Sequence, residues 1–565
     1  MTTLTDAARR KITPAAALLL AVVAAHMVAA FTSSSPEVHN GGDNAAYVSL
    51  ANSLARDGAY TEVWHPGAPP HAKYPPLYPA VLALMILAGA KTWGAFKATS
   101  LLFTTLATAF CFLWVRRLHG ERSAAAVALI FGISPAVLDY AQWVLADPLF
   151  LALTVACLWL LAPARDPAPD RMSILAGFAL VIAAYFTRSA GLPLLVAVAL
   201  WLTVRRRWRP MGVLAGLFLV PAALWQSRSQ GDYFSEFWLV NPYAPDLGRA
   251  GPGDLIARGA GNFWTYASEY VPEGLVGLDG AWAGVFGVVL VGLAVAGWVG
   301  RVRVGPGVAE LFFILYAGLM LAWPAVWSGD RFALPLFPPL LLYAGETLAV
   351  IAGKLTAAAR ERPPWLARLP ARAIVLVVAG ATLVPASLSW TRRSDRALWC
   401  SERIARMGIF GCSTTGVVEF HAMALWAGAN LPEGTAVFSR KPRLFHAFSG
   451  HPSVTYPFTF DDRSLLAQAD SLGIGYIVRS NWDNSGPAYV DPVIAANLDR
   501  FCVVSQLRLG SGPPTSLLAV LEPGADDSMD PATGPESVRS CPLPGGGAAP
   551  TLAALGSPVV PILDR

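Results

Sequence analysis

Long apolar runs separated by short charged links fill the first 390 residues of the chain. Ile12 to Phe31 is long enough to cross a bilayer, whereas Leu77 to Ala90 falls short of the roughly 20 residues a crossing needs. Taking that short run as a hairpin held on the outer side, the crossings that follow are Phe96 to Val115, Ser123 to Ile133, Pro148 to Leu161, Ile174 to Phe186, Pro193 to Val204, Gly212 to Trp225, Ala281 to Gly300, Val308 to Trp323, Phe332 to Ile351 and Ala373 to Leu388. In this register the basic links all fall on one side: Arg116, Arg117 and Arg122; Arg165 and Arg171; Arg205 to Arg209; Arg301 and Arg303; and Lys354, Arg360, Arg362, Arg368 and Arg372. The positive-inside rule then predicts about eleven crossings, an N-terminus in the cytoplasm and a C-terminus outside.

Between the first two crossings lies Gly41 to Pro79, the core of a first outer loop spanning residues 32–95. From Asn44 to Asp57 the apolar residues Tyr47, Leu50, Ala51 and Leu54 recur at helical spacing, with Ser49, Asn52, Ser53 and Arg56 on the other side and Gly58 as a stop. The pattern predicts a short helix lying in the membrane interface, with Asp43 at its start. The prolines of Lys73-Tyr74-Pro75-Pro76-Leu77-Tyr78-Pro79 enforce extended backbone and fix a cation near the same surface. Asp43 could equally be a helix N-cap and Lys73 a snorkelling anchor.

From Thr391 the alternation changes. Ala436 to Ser439, Ser453 to Tyr456, Gly475 to Val478, Phe501 to Leu507 and Leu517 to Leu521 read as strands, and Val417 to Ala429, Arg463 to Leu472 and Asp491 to Leu498 as helices. The sequence thus predicts a membrane domain over residues 1–390, with a second large outer loop at 226–280, and an extracytoplasmic α/β domain over 391–522. Residues 523–565, rich in Pro, Gly, Ala and Asp, read as a poorly ordered tail.

Composition agrees with a polytopic membrane protein: 55% of residues are hydrophobic and 14% charged, and the mean hydropathy is +0.48. The net charge of +5 lies in the links, which makes it a topology signal and argues against a nucleic-acid partner. Cys400, Cys412, Cys502 and Cys541 lie in the polar C-terminal part, where Cys400 with Cys412 and Cys502 with Cys541 is one of three possible pairings in an oxidising compartment.

The spans themselves carry almost no ionisable residue, which argues against an ion-coupled transporter. The predicted topology instead collects charges on the outer face: Asp43, Lys73, Asp147 before Pro148, Arg188 in Phe186-Thr187-Arg188, and Asp330-Arg331 before Phe332. Each has a plainer explanation. Asp147-Pro148 is also a helix start, Arg188 a complement to a helix C-terminus, and Asp330 with Arg331 a self-neutralising pair. His65 and His71 flank the central loop and are weak candidates for a divalent metal with an acidic partner. The aromatics Tyr233, Phe237, Trp238, Tyr243, Trp264 and Tyr266 suit either a sugar site or an interfacial belt.

Gly42-Asp43-Asn44 with Tyr47, the Lys73-to-Pro79 segment, Ala146-Asp147-Pro148-Leu149-Phe150, Phe186-Thr187-Arg188 with Gly191, and Asp330-Arg331-Phe332 with Leu334-Pro335 and Pro338 together resemble the GT-C glycosyltransferases. The branch is that of the protein O-mannosyltransferases and the bacterial aminoarabinose and lipopolysaccharide-core transferases, and the resemblance covers roughly Met1 to Gly353. It implies an enzyme of the bacterial inner membrane that takes a sugar from a polyprenyl-phosphate donor at the outer, periplasmic face. The acceptor would be a lipid, glycan or protein of the envelope. The family's catalytic base maps to Asp43 and a later acidic residue to Asp147; the phosphate-binding positions map to Lys73 with Tyr74, Arg188 and Arg331. Where many members carry a second acidic residue, this chain has Asn44. Attack of an acceptor hydroxyl assisted by one base would invert the anomeric centre, whereas a retaining route would need a nearby carboxylate nucleophile such as Asp147. A lipid-linked saccharide transporter or flippase is the competing expectation: it would share the lipid groove but need no base.

Overall fold

The structure is a computed structural model. It describes residues 13–162, 170–228, 232–242, 247–359, 371–522, 540–541, 557 and 559–563; Arg165, Arg360, Arg362, Arg368 and Tyr243, and the side chains of Tyr233 and Arg372, lie outside that description.

Each predicted crossing is an α-helix. Five of the apolar segments, Pro14–Ser33, Trp93–His119, Trp208–Gln226, Gly280–Val304 and Asp330–Leu355, are long and apolar enough to cross a membrane; the last includes a short 3-10 stretch. Shorter apolar helices, among them Asp147–Leu161, Arg171–Thr187 and Val308–Ala322, pack between them around one large core. Leu77–Leu87 is a separate helix of eleven residues.

Helix Gly42–Asp57 departs from the interfacial expectation. Ser49 and Ser53, on its polar side, are as buried as Ala45, Val48 and Leu50. It is covered on both sides, by Leu77–Leu87 and by Pro442–Ser449 of the C-terminal domain, so its modest amphipathicity reflects a protein interior. Its N-cap is Gly41, with no side-chain cap; Asp43 lies in the first turn, which frees the carboxylate for other partners.

The C-terminal sheet has five strands: β1 (Ala436–Phe438), β2 (Ser453–Val454), β3 (Ile474–Arg479), β4 (Phe501–Leu507) and β5 (Thr515–Val520). Their order is β2-β1-β3-β5-β4, with β1 parallel to β2 and β3, and β5 antiparallel to both its neighbours. The chain enters this region through helix Ala371–Met407, which crosses position 390 unbroken. The domain is fused to the segment between helices Pro14–Ser33 and Trp93–His119 by one apolar cluster that includes Val48, Tyr78, Trp93, Phe420, Leu444, Phe445 and Phe448. In addition, the Ser453 amide donates to the Trp64 carbonyl at 2.6 Å.

The cysteines pair as Cys400–Cys412 and Cys502–Cys541. Most of 523–565, expected to be a poorly ordered tail, lies outside the described residues; of those described, Cys541 also donates its amide to Val503, while Val560 and Ile562 bury their side chains, the Val560 amide bonding Lys91. Apolar burial and a covalent tie hold these tail segments where composition alone suggested none.

Candidate active site

Seven separate segments of the chain meet at a cavity of about 550 Å³ on the face that carries the C-terminal domain. Its walls bring together all six residues singled out in the sequence: Asp43, Lys73, Tyr74, Asp147, Arg188 and Arg331. They also include Asp330, which the sequence placed on the same face, and Tyr140 and Arg443, which sequence reasoning did not place there.

Asp43 is the centre of the polar network. One oxygen accepts from the Tyr74 hydroxyl at 2.7 Å and from Arg443 Nη1 at 3.4 Å; the other accepts from Arg331 Nη1 at 3.1 Å. The side chain is 28% exposed. Burial pushes its pKa up, but the Arg331 and Arg443 guanidiniums and the Tyr74 hydroxyl outweigh that and hold it at about 2. Asp43 is therefore an ionised acceptor with a free approach from the cavity.

Tyr74 is itself fixed from behind. Its backbone amide donates to His71 Nε2 at 2.8 Å, which requires the proton on Nδ1, and Nδ1 faces Glu62 at 2.7 Å. Both ring nitrogens of the buried His71 are thus engaged in supporting the loop, and His65 turns its Nδ1 to the neighbouring Pro66 carbonyl. The cavity carboxylates are likewise occupied, Asp43 by arginines, Asp147 by Arg188 and Asp330 by the Tyr140 hydroxyl at 2.8 Å. These residues present no vacant ligand set for a divalent metal. The one sulfur-containing cluster among the described residues, Glu37 with Cys400 and Cys412, has its sulfurs in a disulfide.

Asp147 follows Ala146, the N-cap of its helix, and makes no capping bond; only 5% exposed, it is ion-paired to Arg188. The ion pair fixes the orientation of both side chains in the cavity wall. Arg188 ends helix Arg171–Thr187, and the turn after it closes tightly: a Cβ at Gly191 would lie 2.7 Å from the Tyr185 amide nitrogen, so glycine is required there. The Phe332 ring lies between two guanidiniums, Arg188 at 5.1 Å and Arg331 at 4.8 Å. Asp330 and Arg331 do not neutralise one another through their side chains: Arg331 reaches Asp43, Asp330 takes Tyr140. Lys73 lies 3.7 Å from Glu236 and 5.7 Å from the Trp327 ring.

Asn44 points away from the cavity, buried with its amide on His39 Nδ1 at 2.9 Å and the Gly41 carbonyl at 3.0 Å. A carboxylate at this position would face a carbonyl, so the departure from the family pattern does not reach the site. The aromatics that do line the cavity are Tyr47, Tyr74, Tyr140, Trp323, Trp327 and Phe332, whereas Trp264, in the second outer loop, is 62% exposed on the surface.

By sequence the chain matches no protein-family model and no curated protein. By structure it matches ArnT from Cupriavidus metallidurans in the apo state, at TM-score 0.54 and 16% identity over 90% of this chain and 98% of that one. It has the GT-C fold. ArnT bound to undecaprenyl phosphate superposes at TM-score 0.52, with 15% identity over 89% of this chain and 97% of that one. The AglB oligosaccharyltransferase of Archaeoglobus fulgidus, in complex with an inhibitory peptide and a dolichol-phosphate, does so at 0.53, with 11% identity over 88% and 74%. At these identities the likeness is one of GT-C architecture, and the chemistry rests on the cavity.

Proposed function

We propose that this protein is a glycosyltransferase that moves a sugar from a polyprenyl-phosphate donor to a lipid, glycan or protein acceptor of the cell envelope, with Asp43 as general base. The observation that carries this reading is the ionised Asp43 carboxylate set among cations inside one cavity beside the membrane helices. Undecaprenyl phosphate and dolichol-phosphate, the lipids bound to ArnT and AglB, are both polyprenyl phosphates, which supports a donor of that class here.

The acceptor oxygen forms its bond to the anomeric carbon as the bond from that carbon to the phosphate oxygen breaks. The electron pair leaves with the phosphate, and the acceptor proton passes to Asp43. A positioned base contributes about 10² to 10⁴ in rate. The charge that develops on the leaving phosphate is met by Lys73, Arg188 and Arg331, fixed before the reaction starts and so stabilising the transition state without reorganisation. With Asp147 taken up by Arg188, one base and direct displacement predict inversion.

We put the cavity on the outer face of a bacterial inner membrane, with the N-terminus cytoplasmic. Both disulfides lie in the domain that closes over it, as an oxidising compartment favours. The test is turnover of a panel of radiolabelled undecaprenyl-phosphate sugars by purified enzyme. Release of undecaprenyl phosphate with transfer or hydrolysis of an inverted sugar is the expected result. Saturable lipid binding with no turnover of any donor would instead support a transporter.

A further inference from the structure

Arg443 has no counterpart in the membrane half of the chain. It stands on Pro442–Ser449, a helix of the C-terminal domain anchored by the buried Leu444, Phe445 and Phe448. From there its guanidinium reaches over the Trp64 ring at 5.4 Å and the Tyr74 ring at 5.3 Å, so its orientation is set by two aromatic faces. Nη1 donates to the Tyr74 hydroxyl at 2.7 Å and to Asp43 at 3.4 Å.

An arginine whose task was to dock the domain would spend its five donors across the interface. Here Nη1 alone makes hydrogen bonds among the described residues, and the side chain, 26% exposed, forms part of the cavity wall. Arg331 likewise bonds Asp43 through Nη1 alone. Two cations thus share one carboxylate. The cluster carries one positive charge in excess, the charge of one phosphodiester, and has guanidinium donors left to bind it.

We propose that Arg443 is a catalytic cation supplied by the C-terminal domain: it shares Asp43 with Arg331 in the free enzyme and turns to the donor phosphate when the lipid binds, leaving the carboxylate free to take the acceptor proton. This deepens the reading above and rests on it. The exchange has a chemical purpose. A carboxylate held at about 2 is a weak proton acceptor, and drawing Arg443 away from it toward a phosphate raises its basicity only when the donor is in place.

The test is undecaprenyl phosphate binding by calorimetry at pH 7.5 to detergent-purified full-length wild type, Asp43→Asn, Arg443→Gln and the double variant. Asp43→Asn removes the competing carboxylate and is expected to tighten binding by about 5- to 150-fold, the usual range of site coupling. In that background Arg443→Gln is expected to weaken binding at least tenfold, and Arg443→Lys, which keeps the charge, to recover part of it. Equal affinity of Asp43→Asn and the double variant, with both unfolding in the same single cooperative thermal transition, would overturn the proposal. Should Arg443→Gln fail to fold, Arg443→Lys in the Asp43→Asn background decides by the same comparison. The two readings fail separately: equal affinity of Asp43→Asn and the double variant, with loss of turnover in Asp43→Asn, removes the role of Arg443 alone, whereas full turnover by Asp43→Asn removes the base and this inference together.

Discussion

Replacing Arg331 with Gln removes the cation closest to Asp43, at 3.1 Å, and one wall of the phosphate site. With charge centres about 4 Å apart and an effective dielectric of about 20, the lost attraction is about 4 kcal/mol, or at most about 3 pKa units. Arg443 and Tyr74 remain in place, so the Asp43 carboxyl rises from about 2 toward about 5. Two effects follow. At pH 7.5 the variant retains an ionised base but has lost one stabilising donor, and its kcat falls by about 10² to 10³. On the acid side, kcat/KM of the wild type stays level down to pH 4, because its base is still ionised and the donor phosphodiester does not titrate there. The variant's kcat/KM falls below about pH 5. The assay is initial-rate transfer from a radiolabelled donor between pH 4 and 8. Superimposable acid limbs in the two enzymes, or a kcat within threefold of wild type, would refute the electrostatic coupling on which the reasoning rests.

Two further outcomes concern stability. Asp43 is held below its ordinary 3.8, at about 2, so its contribution is fully present above about pH 4 and is lost as pH falls toward 2. Asp43→Asn should therefore unfold at lower temperature than wild type at pH 6, by a margin of about 2 kcal/mol that narrows in acid; a margin that widens in acid would contradict the sign. The Cys502–Cys541 bridge closes a separation of 39 residues, for which chain entropy predicts about 4 kcal/mol. Replacing both cysteines with serine should lower the unfolding midpoint and expose the tail to limited proteolysis, and an unchanged midpoint would show that the apolar anchors Val560 and Ile562 suffice.

Much of this architecture can be read from local pattern. The strands Phe501–Leu507 and Ile474–Arg479 and the apolar helices announce themselves through periodicity, because burial against a membrane or a sheet leaves a regular trace in the residues that face it. The convergence of Asp43, Lys73, Arg188 and Arg331 was legible through the positive-inside rule, which assigns loops to sides without knowledge of packing. Arg443 was not legible, since its contact to Asp43 spans 400 positions and no local rule reports it. One signal was present: Pro442 followed by Leu444, Phe445 and Phe448 has the form of a short amphipathic helix, next to the basic run Arg440, Lys441 and Arg443. The burial of Gly42–Asp57 was hidden for the same reason. Its second cover comes from a domain nearly 400 residues away, and small residues such as Ser49 and Ser53 read as polar in sequence yet pack as small groups. The anchoring of Cys541, Val560 and Ile562 was not legible because such short segments are averaged away in a composition dominated by Pro, Gly, Ala and Asp.

The most direct test of the central claim is sugar transfer from the donor panel by Asp43→Asn beside wild type, each first shown to bind undecaprenyl phosphate. The account predicts that the amide, which cannot accept the proton, lowers turnover by about 10² to 10⁴ while lipid binding is retained or tightened. Turnover within a few-fold of wild type, with binding intact, would contradict it.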